Sequence, residues 1–154
     1  MLGYKFIIEE NTSNVLKELL SNINLNKYYV FIKEDEIIPD SISSLDDNSL
    51  FRNSVYKYLD FSKELESKKY QSIFMRIDFS KSDISKEEIS SPKEYLQSSI
   101  EMLIIVTDSI YGEVYCKNQG ILSKILVKVR NTQSFKEIKK VNIGNRKTLS
   151  SYTD

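Results

Sequence analysis

The chain contains no histidine, and Cys116 is its only cysteine. Histidine is the usual general base near neutral pH and a common metal ligand, so its absence excludes Ser-His-Asp and Cys-His catalysis and any zinc site that needs histidine. One thiol cannot form a zinc cage made only of cysteines, nor a disulfide within the chain. Carboxylates, lysines, tyrosines and this thiol form no recognisable catalytic motif. We therefore expect a protein without catalytic activity.

Glycine and long apolar runs are also scarce. The four glycines (Gly3, Gly112, Gly120 and Gly144) cannot form a glycine-rich phosphate loop, so no nucleotide cofactor of that kind is expected. The carboxylates occur in short runs that favour solvated charge over a metal site. The longest apolar run, residues 102–106, is far shorter than the ~20 residues of a membrane-spanning helix. With no secretory signal at the N-terminus and one cysteine, the sequence predicts a cytoplasmic protein without membrane contact, metal or cofactor.

Hydrophobic periodicity predicts one α+β domain over residues 1–154. Residues 102–106 are apolar on both faces, which is typical of a central strand. Asn118 and Ser91 precede helical patterns as candidate N-caps. Helices are predicted at about 15–23, 49–67, 91–98 and 118–129, and strands at 4–8, 28–32, 72–79, 102–106, 110–116, 135–143 and 148–152. The charged run 33–36 is expected to end the second of these strands. We expect a mixed, mostly antiparallel sheet of about six strands, with about three substantial helices packed on it, and polar loops at 39–48 and 81–90.

The formal net charge of zero conceals an uneven distribution. Residues 1–116 carry 13 basic and 20 acidic side chains, a net charge of −7, whereas residues 117–154 carry 9 basic and 2 acidic side chains, a net charge of +7. If folding keeps these charges apart, the molecule presents a basic and an acidic face; if they interleave in space, it does not. The candidate contacts for a partner are Lys124, Lys128, Lys136, Lys139, Lys140 and Arg146.

Two further regions of the sequence, residues 108–111 and Cys116, are candidates for a chemical role. Asp108 and Ser109 directly follow the predicted central strand, where α/β sheets place ligands, and Tyr111 lies beside them; the alternative is a simple turn. Cys116 precedes Lys117 and a helix start, an environment that can activate a thiol. Strand alternation places Cys116 on the same face as the apolar residues of its strand, however, and this favours a buried structural role.

Residues 102–111 (MLIIVTDSIY), followed by 114–118 (VYCKN), resemble a small uncharacterised bacterial family, one of the domain-of-unknown-function families of Bacillus-like and Clostridium-like bacteria. Weaker similarity at residues 6–20, 28–34 and 146–150 extends the resemblance over nearly the whole chain. Because no activity is known for the family, the resemblance implies no catalytic residue.

These observations favour a small cytoplasmic protein that binds a partner and catalyses nothing. An immunity protein, an antitoxin or an inhibitor from a bacterium or phage would fit, with an acidic protein as the partner. One alternative is a nucleic-acid-binding module that uses the basic C-terminal third. Another is a carboxylate-based enzyme or small-ligand binder around Asp108, Ser109 and Tyr111.

Overall fold

The computed structural model describes residues 2–10, 12–39, 50–67, 70–83 and 88–152. The strands within these ranges are β1 (Leu2–Ile8), β2 (Tyr29–Pro39), β3 (Val55–Lys57), β4 (Tyr70–Ser80), β5 (Ile100–Thr107), β6 (Tyr111–Cys116) and β7 (Phe135–Asn142). The helices in the same ranges are α1 (Val15–Leu20), α2 (Tyr58–Glu66), α3 (Pro92–Gln97) and α4 (Gln119–Asn131), and a 3₁₀ turn covers Ile143–Asn145.

One sheet contains all seven strands, in the order β3-β2-β4-β5-β6-β1-β7. Every neighbouring pair is antiparallel. The α+β class and the antiparallel sheet are therefore confirmed. The expected counts of about six strands and three helices are each one too low for the part of the chain that the structure describes.

The strand β5 lies in the middle of the sheet and is buried on both faces, as its apolar sequence predicts. Met102, Ile104 and Val106 point into a large core, whereas Leu103 and Ile105 point into a smaller one on the opposite face. The helices α1, α2 and α4 cover the large core; we call this side the helix-bearing face. The opposite side is covered by α3, the 3₁₀ turn and residues 146–152, which we call the strap; this is the strap face.

A tight turn within the three residues 108–110 joins β5 to β6. Asp108 and Ser109 have φ angles of 54° and 61°, and the Ile110 amide donates to the Thr107 carbonyl at 3.2 Å. Two successive residues with positive φ between antiparallel strands form a type I′ turn, whose twist matches that of the strands it joins. Residues 100–116 are therefore a hairpin, a point on which the sequence is silent.

Two predicted boundaries were wrong. The strand β2 does not end at Ile32 but continues through the charged run 33–36, because Glu34, Asp35 and Glu36 all have polar partners in the fold. The helix predicted at 49–67 begins only at Tyr58, since residues 55–57 pair with β2 instead. Most of the predicted loop 39–48 lies outside the described residues, as do positions 84–87 of the predicted loop 81–90.

The last predicted strand, residues 148–152, was also wrong. Gly144 and Asn145 belong to the 3₁₀ turn and do not form a hairpin, and the chain then crosses the strap face without pairing to a strand. Side chains satisfy its backbone groups: Glu34 accepts from the Ser151 amide, and Arg146 donates to the Thr148 and Ser150 carbonyls. The segment does not need to pair with a neighbouring strand, because side chains supply these hydrogen bonds.

Candidate functional site

The lysines expected to form one basic surface lie on different parts of the fold. Lys124 and Lys128 are on α4, which covers the helix-bearing face. Lys128 is half-buried, and its Nζ donates to Ser21 Oγ at 2.7 Å. Its ammonium is therefore partly committed to a contact within the molecule.

The remaining three lysines lie on β7, at the edge of the sheet, and are divided between its two faces. Lys139 is directly opposite Lys5, and Lys140 is directly opposite Tyr4. Residues paired across neighbouring strands share a face. Tyr4 packs against the large core, so Lys140 belongs to the helix-bearing face and Lys139 to the strap face. Adjacent lysines on one strand thus serve different surfaces.

Strand pairing assembles a local basic surface on the strap face. Ile7 is opposite both Lys136 on β7 and Tyr111 on β6, while Lys5 is two residues away on the same strand. The Lys5 ammonium lies 5.0 Å from the centroid of the Tyr111 ring. We call the set Lys5, Tyr111, Lys136 and Lys139 the edge-strand surface. Lys136 also forms an exposed ion pair with Glu9.

Sequence reasoning missed Lys5 as a member of this surface. It lies in the acidic part of the chain, 134 positions from its cross-strand neighbour Lys139. Nothing local in the sequence indicates that β1 separates β6 from β7. Tyr111, in contrast, was singled out as a ligand contact near Asp108, and the structure places it against Lys5 instead.

The expectation that Arg146 lies on an exposed basic surface is corrected. Arg146 is only 6% exposed, and its Nη1 forms an ion pair of 2.5 Å with Glu113 Oε2. The Tyr115 hydroxyl donates to the other oxygen of the same carboxylate at 2.6 Å. Because Arg146 also donates to two strap carbonyls, its guanidinium fastens the start of the strap to β6. The other five candidate residues remain predictions as partner contacts.

Two glutamates of β2 hold the other end of the strap. Glu34 accepts from Ser150 Oγ at 2.9 Å and from the Ser151 amide at 2.6 Å. The Tyr152 hydroxyl donates to Glu36 at 3.1 Å, and its ring stacks on Phe74 at a centroid distance of 4.5 Å. The charged run that was expected to end a strand is thus the anchor of the C-terminal segment.

The structure accounts for Asp108 and Ser109 as turn residues. Asp108 is exposed at the tip of the β5–β6 hairpin, and the Ser109 amide donates to the Ile73 carbonyl at 2.9 Å. Asp and Ser tolerate the left-handed backbone conformation better than branched residues do. The turn accounts for the positions of Asp108 and Ser109, and the ligand role suggested for them stays a prediction.

Cys116 is fully buried in the large core. Burial raises the pKa of its thiol to about 11, although a hydrogen bond from the Asn118 backbone opposes the rise. A nucleophilic or metal-binding cysteine needs an accessible thiolate near neutral pH. The environment of Cys116 instead favours the structural role.

A cleft of about 590 Å³ opens on the strap face beside the strap. Its floor includes Arg76, which is 7% exposed and donates from Nε and Nη2 to the two Asp78 oxygens at 3.1 and 3.0 Å. Burial raises the pKa of the Asp78 carboxyl, and the neighbouring guanidinium opposes that rise. The other lining residues come from β2, from the segment before α3 and from the strap: Lys33, Glu34, Glu88, Ile89, Ser90, Ser91, Lys147, Thr148 and Ser150.

Neither a metal cluster nor a membrane span is found in the described part of the chain. No three His, Cys, Asp or Glu side chains there converge in a way that would hold a metal ion. Among the same residues, no helix has the length and apolar character needed to cross a bilayer.

Comparison with known proteins confirms the resemblance noted in the sequence. The chain is 24% identical over 131 residues to "Uncharacterized protein YncE" of Bacillus subtilis (strain 168), and the match covers 80% of each protein. No solved structure matches. The model of the family described as "Protein of unknown function (DUF2691)" matches residues 1–150. The chain therefore belongs to this family.

Proposed function

We propose that this chain is a cytoplasmic, non-enzymatic protein that binds an acidic protein partner through the edge-strand surface. It would act in the manner of an immunity protein, an antitoxin or an inhibitor, which need a shaped, charged surface and no reactive group. The observation that carries the proposal is the direct cross-strand pair of Lys5 and Lys139.

Like charges placed directly opposite each other on neighbouring strands destabilise a sheet, by an amount on the order of 0.2–1 kcal/mol. Lys5 also lies near Lys136, since Ile7, the cross-strand neighbour of Lys136, is two residues along β1. Glu113, opposite Lys5 on β6, is paired with Arg146, and Glu9 is paired with Lys136, so the unbalanced positive charge of the edge-strand surface lies at Lys5 and Lys139. A carboxylate of a partner placed between Lys5 and Lys139 would relieve this repulsion.

Tyr111 adds an aromatic anchor to the lysines. It is 39% exposed, and the ammonium of Lys5 lies over its ring. Exposed tyrosines among charged residues are frequent centres of protein interfaces. One exposed aromatic residue is too few for the stacking platforms that bind single-stranded nucleic acid, which is why we favour a protein partner.

Lysines on an edge strand also protect it from pairing with other chains. The two roles predict different behaviour for adjacent residues. A lysine on either face of β7 can protect the edge, whereas only a lysine on the strap face can contact the proposed partner. Lys139 and Lys140 are both exposed and adjacent on β7, but they belong to opposite faces, so they make a matched pair of test sites.

The experiment compares the wild-type protein with Lys139→Gln and Lys140→Gln as immobilised baits in nuclease-treated host extract at low salt. We expect wild type and Lys140→Gln to retain the same protein, and Lys139→Gln to bind it about three- to tenfold more weakly, the usual range for one interfacial charge. Removal of repulsion leaves Lys139→Gln at least as stable as wild type. Its weaker binding would therefore not be caused by unfolding.

Three outcomes would reject the proposal. The first is that no protein is retained. The second is that Lys139→Gln and Lys140→Gln retain it equally well. The third is that material is retained from untreated extract but not from nuclease-treated extract, which would identify the surface as one for nucleic acid and would be accompanied by a steep dependence on salt.

A further inference from the structure

The cleft beside the strap contains a buried arginine, Arg76, and the other residues that the structure describes use only some of its N–H donors. A guanidinium has five N–H donors, and Arg76 uses two of them on the fully buried Asp78. Both hydrogen bonds that Arg76 makes to described residues go to Asp78, which leaves its Nη1 without an acceptor there. Nη1 is not one of the buried polar atoms that lack a partner among the described residues, so solvent in the cleft reaches it, and an acceptor that enters the cleft can take the place of that solvent.

The carboxylates next to Arg76 are already committed. Asp78 is bound in a bidentate pair, and Glu34 accepts hydrogen bonds from Ser150 and Ser151 of the strap. Neither carboxylate therefore needs the free edge of the guanidinium. Asp78 also holds the guanidinium plane in place, so the orientation of Nη1 is fixed before any ligand arrives.

Two lysines extend the basic character of the cleft. Lys33 and Lys147 are both exposed and come from opposite walls, β2 and the strap. Glu88 is the other exposed charged residue of the lining. The lining thus carries three cations and two carboxylates, Glu34 and Glu88, and the charge of Arg76 is paired with that of Asp78. A volume of about 590 Å³ lies within the range typical of small-molecule sites.

We infer that this cleft binds a small molecule through an oxoanion, either a carboxylate or a phosphate group. Arg76 donates to the oxoanion from Nη1, and Lys33 and Lys147 approach it from the two walls. The strap forms one side of the site. Binding therefore favours the state in which Glu34 holds the strap, and it stabilises the folded protein in proportion to ligand concentration.

The test measures the thermal midpoint of the purified protein with increasing inorganic phosphate, succinate or sodium chloride at matched ionic strength. We expect phosphate or succinate, but not chloride, to raise the midpoint with a saturable dependence on concentration. The more effective of the two identifies the oxoanion. Direct titration calorimetry with that compound gives its dissociation constant.

Variants then locate the site. We expect Lys147→Gln to weaken binding of the effective compound about three- to tenfold, whereas Lys140→Gln, an equal loss of charge on the other face, leaves it unchanged. Arg76→Lys keeps a cation beside Asp78 but removes the planar guanidinium with its Nη1 donor. We expect this variant to bind the effective compound more weakly than Lys147→Gln does. If this variant does not fold, Lys33→Gln supplies the second measurement. Equal responses to phosphate, succinate and chloride would overturn the inference, as would equal affinities in Lys147→Gln and Lys140→Gln.

Discussion

Replacement of Arg146 by methionine tests whether this residue holds the strap in place. The substitution keeps the length and apolar stem of the side chain but removes the guanidinium. Glu113, whose side chain is 5% exposed, would then keep only the hydrogen bond from Tyr115. The carbonyls of Thr148 and Ser150 would lose their donor as well.

The expected loss of stability follows from these contacts. Removal of one partner from a buried ion pair costs about 3–5 kcal/mol, because the remaining charge is left in the interior. That is a large share of the roughly 5–15 kcal/mol that stabilises a typical domain. We therefore expect Arg146→Met to lower the free energy of unfolding by about 3–5 kcal/mol, and the thermal midpoint by about 10 °C or more.

Denaturant unfolding of four variants provides the measurement. Lys147→Gln, which removes the same charge from the adjacent exposed residue, should stay within about 0.5 kcal/mol of wild type. Glu113→Gln removes the buried charge that Arg146→Met leaves unpaired. The double variant Arg146→Met/Glu113→Gln should therefore lose less stability than the sum of the losses in the two single variants. A loss below about 1 kcal/mol for Arg146→Met, or additive losses in the double variant, would refute the role assigned to Arg146.

Three further predictions address individual elements. Ser109→Gly should raise stability by a few tenths to about 1 kcal/mol in denaturant unfolding, because glycine adopts the positive φ of this turn without strain; a loss would contradict the type I′ turn. Asn118→Ala should cost about 1 kcal/mol in the same assay, since its side chain accepts from the Ile121 amide at the start of α4. Asn131→Ala, at the other end of α4, is the control and should cost much less. The buried Cys116 should react with a thiol reagent only after unfolding. Because its pKa rises from 9.0 to about 11 in the fold, the contribution of this thiol to stability should be constant below pH 9 and fall between pH 9 and pH 11, as a comparison with Cys116→Ala would measure; rapid labelling of the native protein at pH 8 would contradict its burial.

Local sequence determined most of the secondary structure. The apolar run 102–106 became the central strand, and Asn118 and Ser91 cap the helices that follow them. These features depend on neighbours within a few positions, so hydrophobic periodicity and capping rules suffice to find them. The family, too, follows from sequence alone, since its model matches residues 1–150.

Only the tertiary structure decided where charges meet. Arg146 was expected at the surface but reaches Glu113, 33 positions away, and Glu34 was expected to end a strand but binds Ser151, 117 positions away. Likewise, β1 lies between β6 and β7, which brings Lys5 beside Lys139 and Tyr111. A charged side chain carries no local signal for its partner, because either solvent or a distant group of opposite charge can satisfy it. Strand order and the path of the strap make that choice, and both depend on contacts that no short segment of the sequence contains.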